Sequence, residues 1–101
     1  MLKIRLSETA ETDIEEIWRY TLSTWGLNQA QKYTTQIEQS LHLLLDNPYL
    51  GQARPEIKQG YRSLQVEKHL IFYQISGSYI DILAIVHVRM DLKNHPIKPT
   101  T

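Results

Sequence analysis

"YRSLQVEKHLIFYQISGSYIDILAIVH", residues 61–87, decides the fold. Three strand-length runs rich in Ile, Val, Leu and aromatic residues, at 61–66, 69–75 and 79–87, are separated by Glu67-Lys68 and by Ser76-Gly77-Ser78. Short apolar runs broken by tight turns predict a meander of three antiparallel strands. A two-residue connection at Glu67-Lys68 places Arg62 opposite Tyr73 and Val66 opposite His69. A three-residue connection at 76–78 places Tyr73 opposite Asp81 and His69 opposite Ile85. Arg62, Tyr73 and Asp81 then form one polar row, with His69 and His87 on the same face as diagonal neighbours; a slip of one residue would reverse the faces. Ile71, Ile75, Leu83 and Ile85 fall on one face and Leu70, Phe72, Ile80, Ile82 and Val86 on the other. Both faces are thus apolar and both call for a cover: one layer of helices for the first, and the C-terminal tail or another chain for the second.

Upstream, Leu2, Ile4 and Leu6 alternate with Lys3 and Arg5, the period of a half-buried strand. Ser7 is placed to cap a helix whose stripe runs through Ala10, Ile14, Ile17, Trp18, Thr21 and Trp25. Glu8, Glu11, Asp13, Glu15 and Glu16 read as its solvated acidic face. After Gly26, Asn28 and Gln31 resemble a capping pair for a second helix carrying Ala30, Tyr33, Ile37, Leu41, Leu44 and Leu45 as far as Asn47-Pro48. So short a link makes the two helices an antiparallel hairpin. Residues 48–60, with two prolines and two glycines, read as a long loop. The expectation is an α+β domain over residues 1–92: a short N-terminal strand, then an antiparallel helical hairpin packed on an antiparallel sheet with a three-stranded C-terminal meander. Residues 93–101, with Pro96 and Pro99, are expected to form an extended tail.

Composition removes several function classes. A chain of 101 residues holds one core. No apolar stretch approaches the roughly 20 residues of a membrane span, and the N-terminus lacks the apolar segment of a secretory leader, so a cytoplasmic address is expected. With no cysteine there is no thiol chemistry and no thiolate metal site. His69 and His87 supply two nitrogen ligands without a third, so no metal or other cofactor is expected. The net charge is zero, split as four Lys/Arg against seven Asp/Glu in residues 1–50 and seven against four in residues 51–101. A protein held mainly by nucleic-acid phosphates is strongly basic, so direct sequence-specific nucleic-acid binding is not expected.

Arg62, His69, Tyr73, His87 and Arg89 on one sheet nevertheless suit ribonuclease chemistry. A base would take the 2′-hydroxyl proton, an acid would protonate the leaving oxygen, and the arginines would stabilise the phosphorane. The same residues have a structural account, in which strand neighbours satisfy Tyr73 and His69 and Arg62 pairs with Asp81.

The segments "LSETAETDIEEIWRYTLSTWG", "QAQKYTTQIEQSLHLLLDNPYLG", "GYRSLQVEKHLIFYQI" and "IVHVRMDL" together resemble the ParE toxins of bacterial toxin–antitoxin modules, within the RelE/ParE superfamily. The resemblance implies a compact α+β fold, neutralisation by a ParD-type antitoxin in a hetero-oligomer, and inhibition of DNA gyrase that traps cleaved DNA and blocks replication. The RelE branch instead cuts mRNA on the ribosome. Its members are strongly basic and commonly carry an aromatic catalytic residue near the C-terminus, whereas this chain is neutral and ends "NHPIKPTT". The ParE branch is therefore the better match, and ribosome-dependent mRNA cleavage is the alternative. Carrying the family pattern onto this sequence gives Arg62, His69, Tyr73, His87, Arg89, Met90 and Asp91 as candidate residues for recognition of target or antitoxin. On this reading the chain is not an enzyme. The residues of "AIVHVRMD" then mark a strand end running into a recognition segment.

Overall fold

The computed structural model describes residues 1–89. Its elements run β1 (Lys3–Leu6), α1 (Glu8–Trp25), α2 (Leu27–Asp46), β2 (Gln52–Ala53), β3 (Arg62–Val66), β4 (His69–Ser76) and β5 (Tyr79–His87). The expected α+β architecture is present. The meander β3-β4-β5 is antiparallel, and β1 joins it parallel to β5, so the five strands form one mixed sheet in the order β1-β5-β4-β3-β2. Strand β2, inside what reads as loop in the sequence, pairs with Arg62 and Ser63 alone. Two residues carry too little pattern to announce a strand.

Gly26 joins the helices. Its φ of 93° lies where an L side chain is strained, and its N–H closes α1 on the Leu22 carbonyl, so this glycine both ends one helix and starts the next. Asn28 therefore lies inside α2 and makes no cap; the expected Asn28–Gln31 capping pair is replaced by Gly26. Ala10, Ile17, Ile37, Leu41 and Leu44 pack on Val66, Ile71, Tyr73, Ile80, Ile82 and Ile85 as the main core. Trp25, expected on the buried stripe of α1, is its last residue and is 69% exposed.

The register of β3 against β4 is as read from the sequence, with Arg62 opposite Tyr73 and Val66 opposite His69. That of β4 against β5 differs twice. Ser76 pairs with Tyr79, so the turn is the two residues Gly77-Ser78 and Tyr73 faces Ile82 rather than Asp81. Between Phe72 and Tyr73 the ladder shifts again, leaving Leu83 as an extra residue, so His69 faces His87 directly rather than Ile85. The extra residue changes which side chains share a face. Ile80 and Ile82 join Ile71, Tyr73 and Ile85 beneath the helices, while Phe72, Ala84 and Val86 form a second cluster with Leu70 and Leu83.

A bulge frees backbone groups, and the start of α1 satisfies them. Ser7 Oγ accepts from the Ala10 N–H (3.0 Å) as the expected N-cap and also donates to the Leu83 carbonyl (2.9 Å). The Ser7 N–H donates to the Ile82 carbonyl at 3.0 Å. Asp13 is buried and its Oδ2 accepts from the Ile85 N–H at 2.9 Å. Asp13 therefore does not belong to the solvated acidic face on which its neighbours sit. A buried N–H without a partner costs on the order of 1–3 kcal/mol, so Asp13 fixes the bulge.

On the far face of the sheet, Ile57 packs against the Phe72 cluster and the Arg54 guanidinium lies 5.2 Å from the Phe72 ring. Arg54 is held there by Glu56 (2.6 Å) and Ser63 Oγ (3.1 Å). The loop between β2 and β3 thus covers part of the face expected to await the tail or another chain. The expected tail itself, residues 93–101, lies outside the described residues.

Candidate functional site

The candidate residues fall into two groups, one at the start of β4 and one at its middle. His69 and Tyr73 are four residues apart, so the groups are about 13 Å from each other along the strand.

At one end, His69 lies between two rings. The His87 imidazole meets it edge-on with centroids 5.4 Å apart, and the Tyr33 ring is also 5.4 Å away, tilted by 54°. Tyr33 Oη and His69 Nδ1 are 2.5 Å apart and share a hydrogen bond; the same oxygen accepts from the Lys68 N–H at 3.3 Å and lies 3.3 Å from the Val66 carbonyl. Burial, and secondarily the neighbouring His87, pushes the His69 pKa down to about 4. Burial likewise pushes the Tyr33 phenol upward. His69 is thus a neutral imidazole at pH 7 whose Nδ1 is committed to Tyr33. Tyr33 reads in the sequence as a core residue at helical spacing; only its polar tip, aimed at the turn between β3 and β4, marks it as more. His87 Nδ1 accepts from the Arg89 N–H at 3.1 Å, and the Val88 N–H donates to the Lys68 carbonyl at 2.9 Å, so β5 ends clasped to the same turn. Arg89 follows on the surface. Met90 and Asp91, the last two candidates, lie outside the described residues.

In the second group, Arg62 and Tyr73 hold a loop. Tyr73 is fully buried; its Oη donates to the Pro48 carbonyl (2.8 Å) and accepts from the Gly51 N–H (2.9 Å). A Cβ on Gly51 would lie 2.7 Å from Tyr73 Oη and 2.8 Å from the Ser63 carbonyl, which is why glycine stands there. Arg62 Nη2 donates to the carbonyls of Tyr49 (3.0 Å) and Gly51 (2.6 Å), and its guanidinium sits 5.3 Å from the Tyr49 ring. A side chain with no exposed surface cannot meet a partner, so Tyr73 is a fastening for the loop rather than a recognition residue. The expected Arg62–Asp81 pair is also absent: Asp81 sits beside Arg5 on the neighbouring strand and accepts from it at 2.6 and 3.2 Å. The one-residue change of register at Gly77-Ser78 is the cause, since it sends Asp81 to the face opposite Tyr73.

The expected polar row is therefore a pair of separate fastenings, and among the described residues the candidates brought together at a surface are His69, His87 and Arg89. Among the described residues no group of three or more His, Asp or Glu is placed to hold a metal ion.

The chain matches the family model for the ParE toxin of type II toxin–antitoxin systems (parDE) over residues 4–92. It belongs to the ParE toxin family. Toxin ParE1 of Mycobacterium tuberculosis is 38% identical over 88 residues, covering 86% of this chain and 90% of the relative. Toxin ParE1 of Caulobacter vibrioides is 30% identical over 95 residues, covering 94% and 98%. The fold is shared with a chain of the chromosomal ParDE system of Pseudomonas aeruginosa, with a TM-score of 0.77 at 24% identity over 88% of this chain and 98% of that one. It is shared more loosely with Staphylococcus aureus YoeB, with a TM-score of 0.62 at 21% identity over 85% and 95% of the two chains.

Proposed function

We propose that this ParE-family toxin acts by binding rather than by bond cleavage: it poisons DNA gyrase, blocks replication in the cytoplasm, and is neutralised by a ParD-type antitoxin in a hetero-oligomer. The observation carrying the binding half of this reading is the state of His69. A general base works best with a pKa near the working pH, and a general acid must be protonated there. An imidazole held at about 4 is a weak base at pH 7 and carries no acidic proton to give. Arg62 is committed to two loop carbonyls away from His69, and Tyr73 is sealed in the core, so neither can join His69 in a phosphoryl-transfer site. Recognition needs none of these groups free. His87 and Arg89, at the exit of β5, are the candidate contacts, with Met90 and Asp91 continuing the segment.

The test pairs two assays on the purified chain. With gyrase and supercoiled plasmid, accumulation of cleaved plasmid, abolished by prior addition of antitoxin, is expected. With translating ribosomes, intact mRNA is expected. Codon-placed mRNA cuts with no effect on gyrase would replace this reading with a RelE-type endoribonuclease.

A further inference from the structure

Helix α1 carries two stripes. One is buried and runs through Ala10, Asp13, Ile17 and Thr21. At about 100° per residue, Glu8, Glu11, Glu15, Trp18, Leu22 and Trp25 line up as a second stripe turned away from the first. Its first half is acidic and its second half apolar. The three glutamates are exposed, Trp18 is half-buried, and Leu22 and Trp25 are exposed. Across Gly26, Leu27 at the start of α2 is 52% exposed. No charged residue stands between Arg19 and Lys32 in the sequence, so the tip of the helical hairpin presents an uncharged surface with a Trp and two leucines in the open. Apolar side chains exposed together, unlike scattered ones, mark a contact surface. Glu15 also reaches Arg19 at 3.9 Å, but an exposed pair at that length contributes little, and the carboxylate stays available. The tip belongs to the same end of the molecule as the exit of β5. Ser7 sits at Leu83 and Asp13 at Ile85, so α1 runs in the direction of β5. On the way back, Tyr33 stands six residues after Leu27, about 9 Å along α2, and bonds His69, whose ring meets His87.

We propose that this outer stripe of α1 is the surface by which the toxin docks on gyrase; the inference rests on the gyrase reading above. Trp25, with Leu22 and Leu27 around it, enters an apolar depression on the enzyme as the anchor of the contact, the part that Trp most often plays in protein interfaces. Glu8, Glu11 and Glu15 meet cationic residues beside that depression. Charge selects this occupant. An enzyme that handles DNA presents Lys and Arg to the phosphates, and a row of carboxylates is complementary to such a surface. An anionic membrane surface is not matched, because helices that lie on it carry Lys and Arg on their polar face, where this one carries glutamates. A second copy of this chain fits poorly too: pairing the stripes sets carboxylates against carboxylates or against apolar side chains, with no cation in the stripe to meet them. His87 and Arg89 then extend the same contact from the neighbouring end of β5.

The test measures binding of the purified chain to immobilised gyrase and the toxin concentration that gives half-maximal cleaved plasmid. Trp25→Ala and Leu22→Ala should each raise that concentration about tenfold or more, with urea midpoints within about 0.3 M of the wild type because both side chains are exposed. Leu50→Ala, at an apolar residue of similar exposure in the loop before β2, should change neither reading. Wild-type binding should weaken as salt rises, and Glu11→Gln combined with Glu15→Gln should weaken it at low salt and flatten that dependence. If the wild type poisons gyrase and these variants poison it equally well, the inference is overturned and the gyrase reading stands. Unchanged poisoning by Trp25→Ala, together with loss of binding to vesicles of phosphatidylglycerol and phosphatidylethanolamine, to antitoxin or to a second copy, also overturns it, since the stripe then serves that partner. A wild-type chain that neither binds gyrase nor yields cleaved plasmid removes the gyrase reading and the inference with it.

Discussion

Replacing Tyr73 by Phe removes one oxygen and separates two accounts of this residue. The hydroxyl bridges the Pro48 carbonyl at 2.8 Å and the Gly51 N–H at 2.9 Å in a site with no solvent access. Phe fills the ring volume, so packing is retained while one donor and one acceptor lose their partner. Each unpaired buried group costs about 1–3 kcal/mol, and some relief comes from rearrangement of the loop, so a net loss of about 2–4 kcal/mol is expected. For a domain of this size unfolding in urea with a slope of roughly 1.5 kcal/mol/M, the midpoint should fall by about 1.5–2.5 M with the slope unchanged. Arg62 shares the loop through the Gly51 carbonyl, so Arg62→Ala combined with Tyr73→Phe should cost less than the sum of the single changes. Antitoxin affinity, measured below the unfolding midpoint, should not change. A midpoint shift under about 0.3 M together with weakened binding would refute the reasoning and return Tyr73 to the recognition surface.

Other perturbations test the remaining fastenings. His69 has a folded-state pKa near 4 against about 6.5 unfolded, so the unfolded chain binds the extra proton. Stability should be level above pH 6.5 and, with solvent screening of this half-exposed ring taken into account, fall by about 1–2 kcal/mol as pH drops through 6.5 to 4; His69→Gln should flatten this part of a midpoint-against-pH curve. Asp13→Ala should lower the melting temperature by roughly 10 °C or more, the effect of losing about 2–3 kcal/mol at the bulge, and Asp13→Asn, which keeps an acceptor, should lose less. Gly51→Ala drives a Cβ against Tyr73 and Ser63, an overpacking worth about 1–3 kcal/mol in chemical denaturation.

The parts of the fold legible in the sequence are those carried by periodicity. Alternation at Leu2, Ile4 and Leu6, the helical stripe through Ala10 and Ile17, and the break at Asn47-Pro48 each reflect a local geometric requirement, and the structure places elements accordingly. The hairpin between β3 and β4 is in register because Glu67-Lys68 is flanked by unambiguous strand residues; Glu67 takes the positive φ of 52° that the turn requires. The second hairpin is different. Ser76, Gly77 and Ser78 are all turn formers, and nothing local decides between two and three loop residues. Nor does the run "IDILAIV" mark Leu83 as surplus, since Ile82, Ala84, Ile85 and Val86 around it are all apolar. The bulge is set from outside the strand, by Ser7 and Asp13 some 70 residues earlier in the chain, and such a pairing leaves no periodic trace. The site suffered for the same reason: the direct His69–His87 contact depends on that displaced register.

Residue types that suggest chemistry in this chain serve largely to hold backbone. A small domain buries a modest share of its surface, so loops that leave the sheet need side chains to satisfy their polar groups. Tyr73 and Arg62 hold residues 48–51, Tyr33 with His69 holds the turn at 67–68, and Ser7 with Asp13 holds the bulge. Each fastening uses a hydroxyl, an imidazole, a guanidinium or a carboxylate that an enzyme would need free. What remains exposed among the described residues is of another kind: Gln65 on β3, the outer side of Leu43, and Arg89. These are groups that another backbone or a protein surface can complete. On the binding reading proposed above, specificity lies in what docks onto the sheet, so altering His87 and Arg89 at the β5 exit is expected to change target recognition, while altering Tyr73, Tyr33 or Asp13 is expected to change stability alone.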